Sequence, residues 1–485
     1  MTTQATRFTA VDETADLMER RGEPNLIYLE LGVAGRLDPE RLRAAVHTAF
    51  ADHPATRSRR LPTPPWRTRS RWQVEPRPPI DPLTVLTGPD LDLDLDAQRR
   101  AILDHPLDLR QPPLLRLRLL SGPPGGDRLL LVAHHAGFDG MGFVGVLLAI
   151  CAAYNAEAAH VAAAPAGAAP VGTPSVQPAH DEAAAVGAGS RERREDGAAR
   201  ADGRRGMLPP RPVRVAREPA SAGRRGYGLV SLGFDVEGSD ALARAARAAG
   251  VTLNDLLLAA LGLAVTRWNT RHARPVEPLR ITMPVNTRDR QARHVGGGNQ
   301  SRLTSIDAAG RDARAVLAAV AVRTAEAKAA PAGPQGGPAA VVLGSPWLPR
   351  ALRRALAPCV RFAARSFADT TMLSNLGPLA DLPPVLVGAG EITELWAAAP
   401  APMPRGLSVT ALGAHGRLHV MFRHRFEALD APAAAAFTDV FAEAVAELAA
   451  AAPAATAPVA AAPVAADTAG ADLAATAAHR TEGNP

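Results

Sequence analysis

The sequence predicts an α/β protein built from two strand-and-helix lobes joined by a long linker, and three observations carry that expectation. Leu129–Ala133 is an apolar run of strand length, and Met141–Ile150, separated from it by seven residues, is an apolar run of helical length. Residues 155–226 lose this patterning and consist largely of Ala, Pro, Gly, Ser and Arg, a composition that buries too little apolar surface to offset the entropy of ordering. Patterned sequence resumes at Tyr227–Phe234 and continues to about residue 449.

Taken in order, residues 1–25 form an N-terminal segment and residues 26–154 the first lobe. That lobe has a strand at Leu26–Val33, a helix from Pro39 to Asp52, the strand at Leu129–Ala133 and a helix after Gly140. Residues 155–226 are expected to be a disordered linker. The second lobe, 227–449, opens on a strand at Tyr227–Phe234 and a helix over Asp240–Ala249. Thr252 and Asp255 fit a capping box, which sets a helix start before Leu256. Leu279–Pro284 and Leu418–Phe422 read as strands, Ala433–Ala449 as an amphipathic closing helix, and 450–485 as a disordered Ala/Pro tail. No repeat of fixed period is visible.

Composition excludes several classes. The chain has 485 residues, ample for a large core, and is 47% hydrophobic but only 4% aromatic. Lys328 is the sole lysine and is followed by Ala329, so no GxxxxGK[ST] phosphate loop exists. The formal charge is +6, yet residues 191–225 alone hold eleven arginines against five acidic residues, which equals the whole excess. A solvated linker explains the basic balance better than a nucleic-acid surface. Cys151 and Cys359 are the only cysteines, which rules out a disulfide framework or CxxC site and suits a reducing cytoplasm. The N-terminus lacks a signal-peptide core, and the apolar run Met141–Ala153 is read as too short to cross a bilayer. Gly406-Leu407-Ser408-Val409-Thr410 is not GxSxG, so a serine-hydrolase elbow lacks its pattern.

The chemistry concentrates in His134-His135-Ala136-Gly137-Phe138-Asp139-Gly140, between the apolar strand and the apolar helix. Side chains alternate along a strand, so the adjacent histidines point in opposite directions and at most one faces a substrate. A two-histidine metal site is disfavoured for the same reason. A neutral imidazole is well suited to take a proton from a hydroxyl or amine near pH 7. Asp139 is placed to hold the loop through a charged hydrogen bond, and Gly140 is expected to allow backbone angles that a side chain would forbid. The alternative is a pair of core histidines with Asp139 as a plain helix cap.

HHxxxDG after a strand resembles the signature of the condensation-domain and CoA-dependent acyltransferase superfamily. Other segments follow in the family's order. Arg36–Leu42 leads to His53-Pro54 and Arg57. Pro106–Leu109 and Pro112–Arg116 precede the strand. Val251–Leu261, Met283-Pro284-Val285-Asn286-Thr287-Arg288, Gly298-Asn299 and Ser374-Asn375-Leu376-Gly377-Pro378 then resemble elements of the second lobe, nearest to the alcohol acetyltransferase and wax ester synthase/diacylglycerol acyltransferase branches. The resemblance implies an α/β fold of two chloramphenicol-acetyltransferase-like sandwich lobes around a V-shaped cleft. It implies acyl transfer from a thioester to a hydroxyl or amine, with His135 as general base, His134 structural, Asp139 an anchor and Gly140 a conformational requirement.

The same resemblance makes Ser374 and Asn375 candidates for the oxyanion of a tetrahedral intermediate, with an ordinary turn as the alternative. Arg288 is hypothesised to pair with Asp139 across the lobes, or else is a surface arginine. Asn299 is assigned to the acyl channel or to a glycine-rich turn. Arg350, Arg354, Arg361 and Arg365 recur near helical spacing and read as a solvated face, or as contacts for CoA phosphates, an acidic carrier protein or an anionic membrane surface. No permanently bound cofactor and no metal are expected. The donor is acyl-CoA or a phosphopantetheinyl carrier protein, the acceptor a small molecule or lipid, and nucleic acid is not a partner. Three rivals stand beside this reading: a free-standing condensation enzyme, a wax ester or triacylglycerol synthase, and a non-catalytic binding module. The second is weakened because Leu376-Gly377-Pro378 departs from that branch's usual Val-Pro-Gly.

Overall fold

A computed structural model describes residues 5–19, 22–87, 94–122, 125–163, 210–220, 223–286, 300–330 and 341–451. Most of the expected linker and tail lies outside the described residues. In the first half, the strands are β1 (Ala5–Arg7), β2 (Leu26–Val33), β3 (Ser58–Arg60), β4 (Arg71–Val74), β5 (Leu83–Thr87), β6 (Leu115–Ser121) and β7 (Arg128–His134). Its helices are α1 (Ala10–Met18), α2 (Pro39–Asp52), α3 (Leu95–Asp104) and α4 (Gly140–Ala163). The second half contributes β8 (Tyr227–Phe234), β9 (Arg280–Asn286), β10 (Ser301–Asp307), β11 (Thr371–Pro378), β12 (Val385–Leu386), β13 (Gly390–Ala398), β14 (Leu407–Ala414) and β15 (Arg417–Arg425). Its helices are α5 (Val236–Ala248), α6 (Leu253–Arg271), α7 (Ala313–Ala329), α8 (Arg350–Phe367) and α9 (Ala431–Ala451).

Two mixed six-stranded sheets form the lobes, ordered β12-β13-β2-β7-β6-β5 and β10-β9-β11-β14-β15-β8, with a small β1-β4-β3 sheet at the side. Period-two alternation divides each strand between two cores. In β2, Ile27, Leu29, Leu31 and Val33 join the core under α2 and α4, whereas Leu26 and Tyr28 join a second cluster with α3, Tyr227, Trp396 and Met421. That second cluster draws on both sheets and is the seam between the lobes. A third core lies between the second sheet and α6, α7 and α9.

The expected starts of several elements have clear causes. Thr9 and Thr252 both close capping boxes, with Asp12 and Asp255 respectively, and the side chain of Asp38 caps α2. Helix α5 begins earlier than expected because Asp235 accepts from Gly238 N–H, which makes Asp235 the cap. Arg57 ends α2: its guanidinium donates to the carbonyls of Phe50 and Ala51, which have no partner within the helix.

Two expectations are corrected. Helix α4 is apolar over Gly140–Ala158, 19 residues with hydropathy 1.5, so it is long enough to cross a membrane by length and composition. Here it packs inside the first lobe through Phe143, Val144, Val146, Leu147, Ile150 and Tyr154. The second-lobe range 227–449 also does not stay together. β13 leaves it and pairs antiparallel with β2, from Ile392 opposite Val33 to Ala398 opposite Tyr28. Asn155 of α4 fixes this crossing by accepting from Val387 N–H and donating to the Val385 carbonyl, each at 2.9 Å.

The seam also holds ions. Glu30 is fully buried on β2 and accepts from Arg99 at 2.7 and 2.9 Å, from Arg128 at 3.0 Å and from the Tyr28 hydroxyl. Arg128 continues to Glu394 of β13 at 2.7 Å, which in turn accepts from the Trp396 indole N–H. Glu30→Ala would leave the buried Arg99 without its main counterion. It is expected to cost about 3–5 kcal/mol, read as a lowered midpoint in thermal or denaturant unfolding.

Candidate active site

β7 carries both histidines to the lobe seam. His134, its last residue, is fully buried and stands opposite Leu26 in the β2 ladder. Ala136 N–H donates to His134 Nδ1 at 3.0 Å, so that nitrogen holds the lone pair and the proton sits on Nε2. Nε2 in turn donates to Glu19 Oε2 at 3.1 Å. Glu19 also accepts from Asn25 N–H at 3.3 Å, and the Asn25 carbonyl accepts from His135 N–H at 2.8 Å. A single carboxylate thus steadies both the first histidine and the strand that holds the second.

His135 is only half-buried and makes the opposite tautomeric choice. Its Nδ1 lies 2.9 Å from the Phe138 carbonyl oxygen. A carbonyl only accepts, so Nδ1 carries the proton and Nε2 the basic lone pair. Burial lowers the pKa of His135 below the ordinary imidazole value, against opposing contributions from the Phe138 carbonyl and Asp139. The ring is therefore a neutral base at pH 7.

Asp139 is buried and joins the two lobes. Oδ1 accepts from Gly142 N–H at 2.8 Å and caps α4, while Oδ2 accepts from Gln300 N–H at 2.9 Å at the entry to β10. Gly140 does not need the special backbone angles that were expected of it. Its φ lies outside the left-handed region, but a Cβ there would come within 2.8 Å of Leu376 Cδ2 on β11. A side chain at this position would have to displace the tip of Leu376.

Leu376 is set by its own turn. Asn375 Oδ1 accepts from Gly377 N–H at 2.9 Å, and Gly377 has φ +73°. The side-chain amide oxygen of Asn375 therefore builds the turn, while Ser374 sits half-buried one residue before it, paired in register with Thr410 of β14. The structure holds His134, His135, Asp139 and Gly140 on one loop and sets Leu376 of β11 against Gly140. Arg288 and Asn299, and with them the expected Arg288–Asp139 pair, lie outside the described residues.

Sequence reasoning missed Glu19 and Gln300, and it named Leu376 only as part of its motif. The Thr9–Asp12 capping box marks the helix that presents Glu19. Gln300 contributes only a backbone N–H, so no side-chain pattern announces it. Asp139→Asn would turn an amide NH2 toward either Gly142 N–H or Gln300 N–H. A loss of about 1–3 kcal/mol is expected in equilibrium denaturation, together with reduced turnover.

No protein-family model matches the chain. It is 31% identical over 434 residues to the uncharacterized protein Rv2305 of Mycobacterium tuberculosis, covering 87% of this chain and 94% of that protein. Among solved structures, the first condensation domain of the calcium-dependent antibiotic synthetase in complex with a substrate analogue superposes with TM-score 0.63 at 17% identity, covering 94% of this chain and 98% of that one. The starter condensation domain of rhizomide synthetase gives 0.59 at 15%, covering 92% and 95%. The epimerization domain of tyrocidine synthetase B gives 0.55 at 14%, covering 93% and 97%. By its likeness to Rv2305 the chain belongs to the same family as that protein, and it has the two-lobed fold of the condensation domains.

Proposed function

We propose that the protein transfers an acyl group from a thioester, acyl-CoA first of all, to a hydroxyl or amine acceptor. One observation carries this reading: His135 is a neutral imidazole whose Nδ1–H is held by the Phe138 carbonyl, so that Nε2 is its basic atom, at the junction of the two lobes. Epimerization domains share this fold, so the reaction has to be argued from the site.

The steps follow from that atom. His135 Nε2 takes the proton of the acceptor O–H or N–H as the acceptor heteroatom attacks the thioester carbonyl carbon. The tetrahedral intermediate collapses with cleavage of the C–S bond, and the imidazolium returns the proton to the departing thiolate. The Ser374 hydroxyl and the Asn375 amide N–H2 are the proposed donors to the oxyanion. His134, through Glu19, and Asp139, through Gln300, hold the base in place without touching the reacting atoms. Arg288 as a second partner of Asp139 and Asn299 as part of the acyl channel belong to the same reading. It takes the acceptor to be a small molecule or a lipid alcohol and the site of action to be the cytoplasm.

The crystal structure of the rhizomide starter domain, a relative in fold, holds C8-CoA and Leu-SNAC, which supports a CoA thioester as donor. The second reading, a free-standing condensation enzyme fed by a carrier protein, draws support from the many neighbours that are domains of peptide synthetases. A non-catalytic module would have little use for the base-ready tautomer of His135.

Thiol release from a panel of acyl-CoAs with mixed alcohol and amine acceptors tests the proposal. Acceptor-dependent release is expected, and His135→Ala should lower it about 10²–10⁴-fold while the protein stays folded. Equal release from both proteins would remove His135 as the base. The pH profile gives a second check. The base works unprotonated and its pKa is lowered, so kcat/KM should stay level through neutral pH and fall only below pH 6.5.

A further inference from the structure

Helix α8 turns an apolar face to water. Three of its five arginines point the other way, toward the protein. Arg350 donates to Asp16 at 3.1 Å, Arg361 donates to the Leu17 carbonyl at 2.8 Å, and Arg353 is fully buried with Glu13 at 3.3 Å. A small apolar cluster of Leu17, Leu343 and Ala357 lies among them. The outer side carries Leu352, Ala355, Pro358, Cys359, Phe362 and Ala363, all exposed, with Phe362 at 74%. An ordinary surface helix sets its apolar stripe against the core and its charges in water. On α8 the longest stripe is the one left in water.

Two tryptophans stand at the N-terminal end of this face. Trp66 is 71% exposed and Trp347 86%, on two loops that meet at the start of the helix. Arg350 N–H donates to the Arg67 carbonyl at 2.8 Å, and Ala351 N–H donates to the Pro65 carbonyl at 3.0 Å. Arg353 fixes both loops from beneath, donating to the carbonyls of Leu343 at 2.7 Å, Leu348 at 3.1 Å and Thr68. The chain has five tryptophans, and Trp72, Trp268 and Trp396 are buried in the cores. Both of those left in water are therefore here, on loops held by hydrogen bonds. An apolar surface built in this way marks a place of interaction.

Its charge has one sign. Residues 61–71 contain three arginines and residues 341–367 contain five, with no Asp or Glu in either segment. Arg67, Arg354 and Arg365 are exposed beside the apolar residues. A second copy of the chain, docked by the same patch about a two-fold axis, would bring these like charges together. An anionic lipid surface instead satisfies each part. Indole rings settle at the headgroup level, a Phe side chain reaches the acyl boundary, and guanidinium groups meet lipid phosphates.

We propose that the outer face of α8, with Trp66 and Trp347, docks the protein on an anionic lipid surface. Leu352 and Phe362 enter the interface, and Arg67, Arg354 and Arg365 contact the phosphate headgroups. The proposal stands apart from the acyl-transfer reading, which is tested at His135.

Co-sedimentation of the full chain with vesicles of phosphatidylglycerol and phosphatidylcholine tests it, against vesicles of phosphatidylcholine alone. Strong binding is expected to the anionic vesicles, weakening as salt is raised. Trp347→Ser and Phe362→Ser should each lower partitioning about tenfold or more, from the apolar surface they withdraw. Arg354→Glu should lower it about fivefold or more. Val322→Ser removes an exposed apolar side chain from α7 and should leave partitioning as it is. Cys359 gives an independent readout, because it is exposed on the docking face while Cys151 is buried. Its reaction with a water-soluble thiol reagent should be fast in the free protein and slow on the vesicles. No binding to anionic vesicles, or binding that Trp347→Ser and Phe362→Ser both leave unmoved, would overturn the proposal. Cys359 protected before lipid is added would give the face to another part of the chain and overturn it too. Self-association that Phe362→Ser abolishes, in place of vesicle binding, would do the same in favour of a second copy.

Discussion

The carboxylate of Asp139 is the constraint on which the site depends. One oxygen caps the helix that follows the histidine loop, and the other takes a backbone N–H from the opposite lobe. Each bond is short and charge-assisted, and both donors are backbone groups with little freedom to move away. The loop is thereby tied at one atom pair to α4 and at another to β10. Leu376 closing over Gly140 adds an apolar contact at the same place. The same carboxylate thus bridges the lobes and holds the loop that carries the base.

Around that anchor the two histidines divide their work through tautomers. His134 accepts from a backbone N–H at Nδ1 and gives its proton to Glu19, so it is spent on structure. His135 gives its Nδ1 proton to a carbonyl and presents Nε2 as a base. Neighbouring residues of one type take different roles because the strand sends them to different surroundings. Elsewhere on the seam, His419 is pushed down to about 4 by burial, and its ring packs edge-on against Trp396. It is a further neutral imidazole between the lobes, but one surrounded by aromatic and ionic partners from β13.

Much of this was legible in the chain because the evidence was local. The apolar runs flanking HHxxxDG set a strand and a helix, and Thr252 with Asp255 set the start of α6. What was not legible was long-range. The pairing of β13 with β2 joins residues some 360 positions apart, and no periodicity records a partner. Glu19 reaches His134 across 115 residues, and Gln300 reaches Asp139 across 161. For Gly140 the expected need for special backbone angles is absent, since its φ lies outside the left-handed region, and only the packed second lobe shows that a Cβ there would meet the tip of Leu376. The arginines of α8 were legible in part: Arg354 and Arg365 are solvated as their spacing indicated, while Arg350 and Arg361 turn to α1, which spacing cannot show.

The crossing of β13 governs the order in which the protein can be made. While the ribosome is still producing the second half, the first sheet has β2 at its edge, with a row of unpaired N–H and C=O groups and the apolar Leu29 and Leu31 beside it. That edge is closed only after residues 390–398 have been synthesised, by which time most of the second lobe has left the ribosome as well. The nascent first half is therefore an incomplete folding unit with an open strand edge. Its exposure to strand-swapping and aggregation lasts for most of the synthesis of the chain, and a truncation before residue 390 would make that state permanent.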